Sequence, residues 1–233
     1  MNDLFLSSGS AVFDRFLNGG YEKDVITTVY GPAGAGKTLV CILAAINASR
    51  KGKVIYIDTE GGFSSERLKQ LSRDYQQVME NIFFLKPTTF AEQKKNFEKL
   101  KNLVSEKIGL IVVDSISMLY RLELKQEDSI HEINRELAQQ IAYLTEIARK
   151  KNIPVIITNQ VYANFDDKNK VNIVGGDVLR YGSKCLIELQ ITPNNKRRAI
   201  LRKHRSISER DILFEIKQEG IVESKEGKGF RLF

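Results

Sequence analysis

Residues 26–38 read ITTVYGPAGAGKT. An apolar, strand-like run ends at a glycine-rich turn, and the apolar pattern over 36–50 predicts a helix closed by Lys51 and Gly52. The turn fits G-x-x-x-x-G-K-[ST] at every fixed position. Strand, loop and helix in that order make a phosphate cradle. Glycines let the backbone curl so that N–H groups point inward at phosphate oxygens, and the helix N-terminus adds free donors and a favourable dipole. The predicted contacts are Gly31, Pro32, Ala33, Gly34, Ala35, Gly36, Lys37, Thr38 and Leu39. Lys37 reaches the β- and γ-phosphates, and the Thr38 hydroxyl binds Mg²⁺. The implied cofactors are ATP and Mg²⁺.

Working outward from the cradle, buried strands alternate with helices. VIYIDTE (54–60), IFFL (82–85), LIVVDS (110–115) and PVIIT (154–158) read as strands, and residues 64–75, 90–107 and 129–150 as helices. In the last of these, Ile130, Ile133, Leu137, Ile141, Leu144 and Ile147 recur at three- and four-residue spacing, one stripe of a helix. Continuous apolar strands separated by helices imply a parallel sheet covered on both faces. After residue 182 the pattern changes. KCLIELQIT, RRAILRKH and ILFEIKQEGIVE read as a C-terminal antiparallel β extension. No linker separates it from the α/β core, so residues 1–233 are expected to form a single domain.

Composition removes several function classes. Cys41 and Cys185 are the only cysteines and both lie in apolar runs, so neither a zinc site nor a disulfide framework is expected. The N-terminus has no basic n-region leading into an apolar stretch, and the longest apolar run, near 39–46, is too short to span a bilayer. A cytoplasmic protein is expected. The net charge of +7 favours a polyanionic partner.

Three further pieces complete a nucleotide site. Asp114 ends the apolar strand LIVVD, where it can hold Mg²⁺, through water. Glu60 leaves the strand YID at the same sheet edge and is the candidate to orient and deprotonate a water, with Asp58 as the alternative. Gln160 leaves PVIIT; its amide can donate to a γ-phosphate and accept from water. Behind it, about fifteen residues rich in Asn, Asp, Lys and Gly read as a structureless loop, a length that in a compact domain marks a working segment. If Gln160 senses the γ-phosphate, that loop is an order–disorder switch.

SSGSAVFDRFLNGG (7–20), the phosphate loop, YIDTEG, LIVVDS, TNQV, a long loop and a glycine pair, in this order, resemble the RecA/RadA recombinase superfamily over nearly the whole chain. YIDTEGGFSSERL (56–68) is especially similar to the archaeal RadB group of recombinase paralogues. The resemblance implies a RecA-like P-loop core without a separate N-terminal DNA-binding domain. It implies Lys37 and Thr38 on nucleotide and Mg²⁺, Asp114 as the Mg²⁺ aspartate, Glu60 as the catalytic carboxylate and Gln160 as the γ-phosphate sensor. It places a first DNA loop near Tyr120–Glu132 and a second at 161–176. It also implies a DNA repair and recombination role: binding single-stranded DNA beside the nucleoid, assisting a RadA-type recombinase, and hydrolysing ATP weakly, with a homodimer as the candidate assembly.

The second loop sets Asp166 and Asp167 against Lys168 and Lys170 and is near neutral. The cations crowd a hairpin instead. Arg197, Arg198, Arg202, Lys203 and Arg205 are the candidates for DNA contact or for a neighbouring subunit's ATP site, with an edge hairpin shielded by charge as the structural alternative. Two other functions fit the same core: a nucleotide-gated adaptor without significant turnover, and a KaiC-like signalling ATPase.

Overall fold

The computed structural model describes residues 4–124, 130–163 and 171–224. The chain begins with β1 (Phe5–Leu6), α1 (Ala11–Phe16) and β2 (Tyr21–Glu22), a small collar in which β1 and β2 pair antiparallel. The α/β core follows as β3 (Ile26–Tyr30), α2 (Lys37–Ser49), β4 (Lys53–Asp58), α3 (Ser65–Leu71), α4 (Tyr75–Glu80), β5 (Ile82–Leu85), α5 (Phe90–Leu103), β6 (Ile108–Asp114), α6 (Met118–Glu123), α7 (Ile130–Lys151) and β7 (Val155–Asn159). Then come β8 (Val161–Ala163), β9 (Val171–Ile173), α8 (Gly176–Gly182), β10 (Cys185–Ile191), β11 (Arg197–Lys203), β12 (Arg210–Lys217) and β13 (Gly220–Glu223).

One sheet of nine strands runs through the molecule in the order β13-β12-β11-β10-β3-β7-β6-β4-β5. The six strands from β10 to β5 are parallel, and β11 to β13 extend the sheet antiparallel. Alternate side chains of each parallel strand feed two apolar layers, because strand side chains point to opposite faces. Val29, Val54, Tyr56, Val112 and Ile156 meet α1, α2 and the C-terminal strands. Ile55, Ile57, Ile111, Val113, Val155 and Ile157 meet α5, α6 and α7. Strands buried on both faces explain the unbroken apolar runs read in the sequence.

Four expectations change. The helix expected over 64–75 is two helices, since Ser72 turns extended and its neighbour Asp74 is held by Arg50 (2.9 Å). The expected helix over 90–107 ends at Leu103, with Val104 extended. The polar stretch after Gln160 is ordered at both ends: β8 and β9 pair as a hairpin, and α8 starts at Gly176. Residues 164–170, with Asp166, Asp167, Lys168 and Lys170, lie outside the described residues, as do 125–129 of the expected first loop. Finally, β10 is not part of a purely antiparallel group. It pairs parallel with β3 (Cys185 opposite Thr27) and antiparallel with β11, and so joins the two halves of the sheet. The short helix α8, hidden in the sequence by its two glycines, precedes it.

Candidate nucleotide-binding site

Parallel strands carry their carboxyl ends to one edge. Tyr30 lies opposite Asn159, and Asp58 opposite Asp114, so Gly31, Glu60, Asp114 and Gln160 all emerge at the same rim. This is why residues up to 129 positions apart in the chain share one site.

The loop 31–36 has the shape its glycines allow. Gly34 and Gly36 have φ of 74° and 102°, in the left-handed region that side chains disfavour. Gly31 passes so close to the Leu189 carbonyl of β10 that a Cβ would collide with it. Gly36 caps α2 with no side-chain bond, leaving the first helical N–H groups free for an anion. The Lys37 ammonium folds back on the loop, donating to the carbonyls of Gly31 and Pro32 (2.9 Å each). Burial pulls its pKa below the usual lysine range, against the attraction of Glu60 and Asp114.

Asp114 is 2% exposed and fully engaged by hydroxyls. Thr158 donates to Oδ1 (2.5 Å) and Tyr56 to Oδ2 (3.1 Å), and the Thr38 hydroxyl bonds it too. Burial raises its pKa, and these three hydroxyls oppose the rise. One carboxylate beside one threonine hydroxyl, with both oxygens already holding donors, fits a Mg²⁺ ion that keeps most of its waters and takes its other ligands from phosphates. The residues present therefore fit the nucleotide–Mg²⁺ group that the loop implies.

Glu60 is exposed at the rim. Its Oε1 accepts from Ser115 Oγ (2.5 Å) and from Gln160 Nε2 (2.8 Å). No hydrogen bond reaches Oε2 among the described residues, so that oxygen is available to a water. Asp58, the alternative, is buried and accepts from the backbone N–H groups of Gly62 (3.1 Å) and Phe63 (3.2 Å). It fixes the turn after β4, with one backbone N–H on each oxygen. Asn159, next to Gln160, donates from its amide to the Val174 carbonyl (2.7 Å) and ties β7 to the segment before α8. Ser115, Thr158 and Tyr56 were not singled out from the sequence. Ser115 and Thr158 lie within two residues of Asp114 and Gln160, whereas Tyr56 is brought to Asp114 only by the pairing of β4 with β6.

The cationic hairpin sits differently from its reading as an edge. β11 is interior, because β12 and β13 pair beyond it. Most of its cations have partners within the chain. Arg198 meets Asp211 (2.8 Å), Arg202 meets Glu188 (2.7 Å) and Glu209 (2.8 Å), and Arg205 meets Glu22 and Asp24 (2.9 Å each). Arg197 reaches the phosphate loop itself, donating to the Gly34 carbonyl (3.1 Å). Lys203 differs. Its ammonium donates to the Arg180 carbonyl (2.7 Å), and burial, then the nearby Lys184, holds its pKa below the lysine range. Tyr181, next in the chain to Arg180, is 76% exposed.

A single sheet with a phosphate loop, a strand-end aspartate and a rim glutamate defines a RecA-like P-loop core. The family model described as Rad51 matches residues 2–224. "DNA repair and recombination protein RadB" of Methanobrevibacter smithii is 39% identical, with 90% of this chain and 92% of that protein aligned. The RadB of Methanococcus maripaludis strain C7 is 45% identical over 90% of this chain and 97% of that protein. A solved structure described as "Crystal structure of the RadB recombinase" is 35% identical, superposes with a TM-score of 0.81, and covers 95% of this chain and 100% of that one. The chain belongs to the Rad51 family, within its RadB group.

Proposed function

We propose that the chain is an ATP-dependent DNA repair and recombination protein that binds ATP·Mg²⁺ at the loop 31–38 and couples the bound nucleotide to single-stranded DNA. Lys37 grips the β- and γ-phosphates, Thr38 and Asp114 hold Mg²⁺, Glu60 orients the attacking water, and Gln160 answers to the γ-phosphate. The carrying observation is the bond between Gln160 Nε2 and Glu60 Oε1. A γ-phosphate competes for that amide, so ATP and ADP leave Gln160 differently placed at the root of β8. Turnover is weak, and the protein acts beside a RadA-type recombinase in the cytoplasm, near the nucleoid. Among the described residues, no helix is long and apolar enough to cross a membrane.

Five hairpin cations remain candidates for DNA or for a neighbour's ATP site, in a possible homodimer. Lys203, with Arg180 and Lys184 close in sequence to exposed Tyr181, is favoured for polyanion contact. Among the described residues these cations have no carboxylate partner, and cations close in sequence to an exposed aromatic suit single-stranded nucleic acid. Arg198, Arg202 and Arg205 are already neutralised.

The test is single-stranded DNA affinity with ATP, with ADP and without nucleotide, for the parent, Lys37→Ala and Glu60→Gln. The proposal expects ATP to change DNA affinity in the parent, Lys37→Ala to abolish the response, and Glu60→Gln to keep the response while losing hydrolysis. No DNA binding in any state overturns it. A Glu60→Gln protein that fully retains biological function, with Lys37→Ala inactive, moves the reading to a nucleotide-gated adaptor.

A further inference from the structure

Two glutamine side chains are buried where the apolar layer under α5 and α7 would be expected to continue. Gln93, in the first turn of α5, is 0% exposed, and Gln140, midway along α7, is 2% exposed. Gln93 Nε2 donates to Gln140 Oε1 (2.7 Å) and to the Ile116 carbonyl (3.4 Å). Gln93 Oε1 and Gln140 Nε2 are buried with no hydrogen-bond partner among the described residues. Unpaired buried polar atoms cost stability, whereas replacing both partners by apolar groups of similar shape is near neutral or stabilising. A pair serving the core alone has a better apolar alternative. That points to another use.

The use lies in what Ile116 belongs to. The segment 115–117, just past β6, is the hub of the rim. Ser115 donates from its hydroxyl to Glu60 and from its N–H to Thr59 Oγ1 (2.9 Å). The Ile116 N–H donates to the Thr158 carbonyl (3.1 Å), and Ser117 Oγ accepts from the Gln160 N–H (3.4 Å). Apart from the direct Gln160–Glu60 bond and the Val174 N–H on the Gln160 carbonyl, the hydrogen bonds that orient Glu60 and the root of Gln160 run through these three residues. Ile116 packs into that apolar layer, and among the described residues the only side-chain hydrogen bond to the segment from the helices beneath comes from the glutamine pair.

We propose that Gln93 and Gln140 are positioning residues for hydrolysis: they hold the Ile116 carbonyl so that Ser115 and Ser117 present Glu60 and Gln160 in register. The proposal rests on the reading of Glu60 and Gln160 given above. Gln93 touches the hub directly and Gln140 orients Gln93, so their effects are unequal and non-additive.

Gln93→Met, Gln140→Met and the double variant separate this from a structural role. The double variant is expected to melt at or above the parent temperature, and to keep the parent's ATP affinity and KM. Its kcat, with saturating single-stranded DNA, is expected to fall about tenfold. Gln93→Met alone gives nearly the whole loss and Gln140→Met a smaller one. Parental kcat in the double variant overturns the proposal, as does a loss of kcat that merely tracks lowered melting temperature across the three proteins. If the double variant does not fold, the two single variants decide by the same criteria. Glu60→Gln is the control for the underlying reading. If it hydrolyses ATP at the parental rate, the catalytic assignment has failed independently of the glutamine pair.

Discussion

Lys37 shows what a residue type at a fixed spacing can and cannot say. The loop motif assigned its role, and the structure adds that it rests on two loop carbonyls, in a partly buried setting that lowers its pKa. Lys37→Ala is expected to weaken ATP binding by roughly 10- to 100-fold, the worth of losing charge-assisted bonds to phosphate, as measured by titration calorimetry. From the sequence Glu60 is the candidate and Asp58 the alternative, because both leave β4 at the same edge. The turn after Glu60 folds back onto buried Asp58 and leaves Glu60 exposed at the rim. The cysteines were legible as inert thiols from their apolar neighbours. Burial raises both, Cys185 from an ordinary value near 9 to about 12. Native protein at pH 8 should therefore not react with a thiol reagent, and two thiols should appear on unfolding. The sign of the linkage follows. Above pH 9 the unfolded chain releases the Cys185 proton while the folded chain keeps it to about 12, so stability falls as pH rises through that window.

Elements with strong periodicity were read well. α2, α7 and β5 lie within two residues of their expected limits, because an amphipathic stripe or a short apolar run reports its own burial. Ends set by caps were less certain. At the start of α5, Thr89 Oγ1 accepts from the Glu92 N–H (3.1 Å) while Glu92 Oε2 accepts from the Thr88 N–H (2.7 Å), a reciprocal cap. Thr89→Ala is expected to cost about 1 kcal/mol in chemical denaturation, with ATP binding unchanged. The turn between β12 and β13 could not be placed from its own residues. Arg67 of α3 donates to the carbonyls of Lys217 (2.5 Å) and Gln218 (3.0 Å), and Ile216 presses on Gly36, where a Cβ would lie 2.9 Å from Ile216 Cδ1. The last hairpin thus braces the outer side of the phosphate loop. Ile216→Ala should loosen that brace and weaken nucleotide binding by several-fold more than it lowers the melting temperature would suggest.

Across the whole molecule the C-terminal strands share the core of the α/β part. Phe214 of β12 is 0% exposed and meets Phe13 of α1 edge to face, with centroids 5.5 Å apart. The chain is expected to unfold in one cooperative transition, and Phe214→Ala to lower its stability by about 3–5 kcal/mol without splitting that transition. Separate melting of the C-terminal strands would refute a single domain. The sequence by itself determined the parallel core, the phosphate loop, the strand-end Asp114 and the family, because local periodicity and fixed spacing encode backbone shape and residue chemistry directly. Tertiary structure decided which charges are spent and which are free. Arg198, Arg202 and Arg205 are paired with Glu22, Asp24, Glu188, Glu209 and Asp211, and Glu60 is aimed by Ser115 and Gln160. These pairings cross strands or bridge distant segments, so they follow from sheet register and crossover topology, which no short stretch of chain contains.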